Sequence, residues 1–409
     1  MPTRTGTRAM IASLVVTMLA GCASSKKAAT QFWPPPPNAP RIQYLKKVSG
    51  SIDVVGKQSI SLIDVGDEKP KVVPLIKPFG LAVSKGTLYI CDTVQSQVVL
   101  YNLPAKTASV LKGNKGPGQL KKPINVAVDE DGYIFVADSG RKQVLKYAPD
   151  GSFERTVDEE GMKPVGVAVD DLYLYILNSS KGLVQLYDRK TLTPLRSFGQ
   201  EGDERGRLFN PLGIGLDKKG GVYVSNLDGR LIHFDRDGHS LRVFGKLGTA
   251  LSEFNRPRAI AFDKDGVMYV VDAASQNVRL MNEGFQLLMS FGEPGTQGSL
   301  NVPAGIAVTE DDLAYYQQFT EKDFTLERVI FVVSQFGENK VSIYGLGKKQ
   351  GIDYEAQLRE RQEDIRKREE AIAREAAAKE AREKEKEKQQ AASAQGNGDA
   401  ATPAADAKK

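Results

Sequence analysis

The chain has 409 residues, with 56 Lys and Arg against 51 Asp and Glu and a formal charge of +5. So mild a charge allows contact with acidic surfaces but excludes a protein that grips nucleic acid through a dense basic face. Two cysteines and two histidines exclude a disulfide-stapled scaffold and leave too few ligands for a histidine-built metal centre.

Residues 1–21 read as an export signal. Met1 to Arg8 is short and basic, and the apolar run Ala9 to Leu19 is too short to span a bilayer. The following Leu19-Ala20-Gly21-Cys22 resembles a bacterial lipobox. That resemblance implies cleavage before Cys22 and acylation of its thiol, which makes Cys22 the lipidation site and membrane anchor. An ordinary secretory signal with an incidental cysteine is the alternative. Ala23 and Ser24, with no Asp there, resemble lipoproteins sent to the outer membrane, with the periplasmic or surface side left open.

Residues 22–40 contain Trp33 and the run Pro34 to Pro37. Such a run predicts an extended polyproline II stalk, or a ligand for a proline-recognition domain. With Cys22 lipidated, Cys91 has no disulfide partner. It lies in the apolar stretch Leu88-Tyr89-Ile90-Cys91 and is expected to be a buried, inert thiol.

Residues 41–347 read as one domain, in which a pattern recurs six times between Pro78 and Tyr344. A proline precedes an apolar run, a turn, a second apolar run ending in a polar residue, and a third strand. The prolines are Pro78, Pro123, Pro164, Pro211, Pro257 and Pro303, spaced 45, 41, 47, 46 and 46 apart. Several short strands per copy at that period predict an all-β fold, a six-bladed β-propeller, because one copy cannot bury both its faces. In the second copy the strands are Ile124 to Val128, Tyr133 to Ala137, Gln143 to Tyr147 and Phe153 to Val157; the fifth copy runs in the same register. Turns such as Asp129-Glu130-Asp131-Gly132 resemble the start of a calcium loop, but no distal Glu follows. Asp-Gly between strands is a hairpin signal, so no metal is expected there. The last copy lacks an outer strand, and Arg41 to Gly50 resembles one. The expectation is that this early segment pairs with the last blade and closes the ring, removing exposed edges.

Pro-x-Gly-Ile/Val-Ala-Val, an aromatic-Val strand ending in Asp, and Gln97, Gln143 or Asn277 five residues later resemble NHL repeats. The resemblance spans about three-quarters of the chain and implies a propeller that works as a binding module, a sensor domain, an RNA-binding domain or, in a few cases, a lyase. It does not choose among them.

Beyond Gly351 the composition changes. Residues 352–390 are rich in Glu, Arg, Lys and Ala and predict a long charged helix, with Glu355–Arg359, Glu363–Lys367 and Glu370–Arg374 as i,i+4 pairs. Leu358, Ile365 and Ile372 repeat every seven residues, but their companion positions are charged, a poor coiled-coil seam. The helix is read as solitary or partner-bound, and 391–409 as a disordered tail.

Strand directions place the site candidates. The first strand of each blade starts on one face of the disc, here the top, and the second strand returns to it. Lys77, Lys122, Lys163, Arg256 and Arg258 should ring that mouth beside Asp92, Asp138 and Asp272, which end second strands. This ring reads either as a site for an anionic or polar ligand or as Asp side chains capping local turns. On the other face the last copy carries an insertion, Ala314 to Glu327, whose Tyr315, Tyr316, Phe319 and Phe324 either pack under the disc or present a partner surface. His233 lies in a strand and His239 in a turn, no nucleophile elbow or phosphate loop appears, and Gly213-Ile214-Gly215 sits inside a strand. The expectation is a non-catalytic, lipid-anchored binding or scaffold protein of the bacterial envelope. It would be a monomeric propeller without cofactor or metal that recognises a protein or glycan. A metal-dependent hydrolase, lactonase or lyase acting in the channel is the alternative.

Overall fold

The computed structural model of the protein describes residues 30–56, 73–199 and 206–360, with 363, 364, 366, 367, 370, 371 and 374. Cys22, the segment read as a signal, the part of the expected helix beyond 374 and the expected tail lie outside the described residues.

Six antiparallel sheets are arranged as the blades of one propeller, and in five of them the paired strands are sequential neighbours. The second blade shows the pattern: Pro123–Val128 innermost, then Ile134–Asp138, Gln143–Tyr147 and the outer Phe153–Val157. The second strands are buried at every position in this blade and in the fourth and fifth. Neighbouring blades cover both faces of a second strand, so its sequence reads as a continuous apolar run rather than an alternation. Outer strands such as Pro194–Phe198 meet water and carry polar residues. The cores lie between blades, as where Tyr175 and Leu177 of the third blade pack with Val222 and Val224 of the fourth. Each such buried aliphatic contributes about 1.5–3 kcal/mol.

The sixth sheet closes the ring. Pro303–Thr309, Phe324–Ser334 and Val341–Lys349 are continued by Ile42–Val48 and then by Phe32–Trp33. Val48 stands opposite Val341, and Ile42 opposite Leu346. The segment read as a closing strand therefore fills the outer position of the last blade.

The proline run differs from its expectation. Phe32 pairs with Gln43 and Trp33 with Ile42, antiparallel, so Pro34 to Pro37 lie in the bend between two paired strands and do not form an extended stalk. Burial explains the fold-back. Trp33 is buried in contact with Phe291 and Tyr344, at ring-centroid distances of 6.2 and 5.8 Å, a gain that a solvated rod would forgo.

In every blade the ladder slips directly after the proline. The proline pairs with the end of the second strand, and the next residue has no partner: Phe79, Ile124, Val165, Leu212, Arg258 or Ala304. A bulge of this kind releases one side chain from the alternation and turns it elsewhere. Five of the released residues, Phe79, Ile124, Val165, Leu212 and Ala304, line the central channel, and the sixth, Arg258, lies over the ring of Phe79. One position further on, Gly80, Gly166, Gly213 and Gly305 allow the innermost strands to meet. A Cβ on Gly213 would stand 1.9 Å from the carbonyl oxygen of Arg258.

No helix of the described residues is long and apolar enough to cross a membrane. Glu355–Arg359, Glu363–Lys367 and Glu370–Arg374 form ion pairs on the helical segment that follows the propeller.

Candidate functional site at the top face

The acidic half of the ring is occupied by the protein's own backbone. Asp92, Asp138 and Asp272 are fully buried. Asp138 accepts N–H bonds from Lys121 at 2.6 Å and from Lys122, Gly140 and Arg141 at 2.9 Å. Asp92 does the same for Ile76, Lys77, Val94 and Gln95, and Asp272 for Asn255, Arg256 and Ser275. Asn178, Asn226 and Ser334 hold the corresponding loops in the remaining blades. Each of these side chains ties the loop that enters a blade to the turn that leaves its second strand. With their oxygens so engaged, Asp92, Asp138 and Asp272 are corrected from ligand contacts to loop anchors.

The basic half is different. Lys122, Lys163 and Arg256 are exposed and Lys77 is partly so, its ammonium 5.1 Å from the centre of the Phe336 ring. Among the described residues no ion pair involves these four or Arg258. The anchoring carboxylates lie beneath the loops, so the rim presents positive heads to solvent. Sequence reasoning missed Lys340, which reaches across the seam to the carbonyl of Ile76 at 2.8 Å; burial pulls its ammonium below the usual value. It also missed exposed apolar side chains between the cations: Ile76, Val94, Phe209, Leu227 and Phe336. Their positions beside the prolines and after the second strands were a signal that could have revealed them.

Arg258 does not stand on the rim with Arg256. It is the bulged residue of the fifth blade and the one charged member of the six at the channel mouth, half-buried, with its guanidinium 4.8 Å from the centre of the Phe79 ring. The channel behind has a volume of about 280 Å³ and is lined by apolar side chains, Ile124, Val165 and Leu212 among them.

On the opposite face the insertion divides. Tyr316 and Phe324 are core residues, and Tyr316 packs edge-on to Phe331 with centroids 5.7 Å apart. These two are corrected from partner contacts to packing. Tyr315 and Phe319 remain partly buried, and Lys46 lies 4.8 Å from the Phe319 ring centre. Gln317 fastens the loop by donating to the Phe324 carbonyl and accepting from the Leu326 N–H.

The histidines serve separate local roles. His233 stacks on Tyr223 with centroids 4.1 Å apart, and burial pushes its imidazole below the ordinary value; His239 pairs with Asp235 at 3.0 Å in an exposed turn. Cys91 is fully buried, and burial, reinforced by the charges of Asp138 and Asp92, raises its thiol well above the usual value.

No protein-family model matches the chain. Similar solved structures include a gluconolactonase from Xanthomonas campestris, at 14% identity and TM-score 0.49, covering 76% of this chain and 98% of that one. A virginiamycin B lyase from Staphylococcus aureus matches at 13% identity and TM-score 0.45, over 68% of this chain and 86% of that one. A structure of a nidogen/laminin complex matches at 16% identity and TM-score 0.47, over 65% and 97%. The resemblance is distant and transfers no reaction or ligand. The expectation that the chain is not an enzyme is corrected on the fold itself, because a propeller architecture gives no ground for excluding catalysis.

Proposed function

We propose that the chain is a lipid-anchored binding propeller of a bacterial envelope, held through Cys22 and engaging an acidic protein surface with its top face. The observation that carries this reading is the separation of charges at the rim. Among the described residues Lys77, Lys122, Lys163 and Arg256 have no carboxylate partner, while the neighbouring Asp groups are sequestered by backbone. Cations interleaved with exposed Ile76, Phe209 and Phe336 form the mixed surface that protein partners recognise.

The anchor geometry supports the same orientation. The chain enters near Thr30, against Glu321 of the lower insertion, and Tyr354 beyond the last strand bonds to the carbonyl of Pro40 at 2.6 Å. Seven residues lie between Cys22 and Thr30, a reach of under about 30 Å, which would keep the insertion side near the bilayer and the basic rim away from it.

Crosslinking in intact cells with a photoreactive group at Lys163, against one at Lys190 on the lower turns, tests the reading. A protein adduct specific to the rim, lost in the Lys122→Glu, Arg256→Glu double variant, is expected. Capture undiminished by that variant overturns the rim assignment, and a glycan adduct replaces the protein partner. Retention of Cys22→Ser in the membrane fraction overturns the anchor.

A further inference from the structure

Among the described residues, the buried arginines Arg189, Arg279 and Arg328 have oxygen partners, whereas the half-buried Arg258 has none. Arg189 meets Asp129 at 3.3 Å and Asp131 at 2.9 Å. Arg328 meets Asp263 at 3.0 Å and Glu310 at 3.4 Å, as well as Asp265. Arg279 donates to the carbonyl of Ala250 at 3.1 Å. Arg258 has no such acceptor among the described residues, and its buried Nε carries no hydrogen bond. Its nearest charged influence is another cation, Arg256, and burial together with that repulsion pulls its guanidinium down to about 10.

Withdrawing a guanidinium from water without a compensating charge is unfavourable, and its contact with Phe79 offsets only part of that. The ladder slip after Pro257 puts Arg258 where the other five blades place Phe79, Ile124, Val165, Leu212 and Ala304. The mouth is therefore an apolar collar with one planar, two-pronged donor whose buried Nε is unpaired.

We propose that the mouth of the channel at Arg258 is a small-molecule site that takes an oxyanion, a carboxylate in the first instance, carried on a compact apolar body. The carboxylate would accept from the guanidinium, whose planar fork suits two parallel N–H···O bonds, and the body would lie on Phe79 and the aliphatic collar. The site is independent of the rim reading: it needs no macromolecular partner, and Arg258 lies against Phe79 of the channel lining whereas Lys122, Lys163 and Arg256 are exposed. A bound carboxylate would serve equally as a ligand or as a substrate presented to the channel.

Calorimetric titration of the mature protein with benzoate and, separately, with inorganic phosphate tests it. One benzoate per chain is expected, with affinity about tenfold or more weaker in Arg258→Met, in keeping with the loss of a charge-assisted hydrogen-bond pair. Lys190→Met, far from the mouth, should titrate like the parent. Arg258→Lys keeps the charge and loses the fork; if Arg258→Met does not fold, a severalfold loss in Arg258→Lys decides for the site. Absence of benzoate binding to the parent, or equal binding by the Arg258 variants, overturns the proposal. Phosphate binding without benzoate binding overturns the apolar-body assignment. Loss of partner capture in Lys122→Glu, Arg256→Glu with capture intact in Arg258→Met would show that rim and mouth act separately.

Discussion

Ile42 stands opposite Leu346 in the last sheet, the first fully buried and the second nearly so, and this pair joins the early part of the chain to the end of the propeller. Their burial belongs to the same cluster as Trp33, Tyr269 and Phe291, so the seam is also the interface between the fifth and sixth blades.

Ile42→Ala is expected to cost about 2–5 kcal/mol, the range for truncating a fully buried aliphatic. Urea unfolding followed by fluorescence of the single Trp33 reports it directly, because Trp33 lies in that cluster. An unchanged midpoint would mean that the ring does not depend on the closing strand.

Asp138→Ala should destabilise by about 3 kcal/mol or more, since several buried N–H groups lose an acceptor at once. Asp138→Asn should cost markedly less, because Asn178 and Asn226 fill the corresponding place in two other blades. Equal losses for the two variants would contradict the anchoring role and point to the charge itself.

Gly213→Ala tests the close approach of innermost strands. The added carbon would meet the backbone of Arg258 at 1.9 and 2.7 Å, contacts that no rotamer relieves. A loss of about 3 kcal/mol or failure to fold is expected. Gly295→Ala in an open loop gains no contact and should show only the smaller effect of its positive φ, readable by thermal melting.

His233 sets a pH dependence. Burial lowers its folded-state value, with Asp217 and Asp235 acting in the opposite direction and Arg242 adding to the fall. The unfolded chain therefore binds the proton first. Stability from this residue is complete above about pH 6.5, the ordinary histidine value, and declines as pH falls from there toward the folded value. Thermal midpoints between pH 5 and 7.5 should flatten in His233→Leu relative to the parent; an unaltered slope would assign the dependence to other groups.

The blade count was legible because the prolines recur at a nearly constant period and each is followed by a short apolar strand. The closing strand was legible because Arg41 to Gly50 has an outer strand's pattern while the last copy lacks one. Pro34 to Pro37 was misread because local preference favours a rod, whereas the fold-back is driven by contacts of Trp33 with Phe291 and Tyr344, far along the chain. The ring of Asp and Lys was visible as residue types, but not that the Asp oxygens were occupied by neighbouring N–H groups. Arg258 differs from Arg256 only through a register slip, which shifts one residue into the channel mouth. Tyr316 and Tyr315 are adjacent in an insertion without periodicity, so nothing in the chain order said which would be interior.

Closing the circle with a strand from the far end has a consequence for biogenesis. Arg41 donates to the carbonyl of Gly347, 306 residues later, at 2.8 Å. At typical synthesis rates that interval lasts about 15–60 s, during which the emerging polypeptide keeps a hydrogen-bonding edge unsatisfied. A chain of this design needs a chaperone until Val341 to Lys349 arrives, and ribosome-stalled truncations ending before that stretch should be bound by holdases.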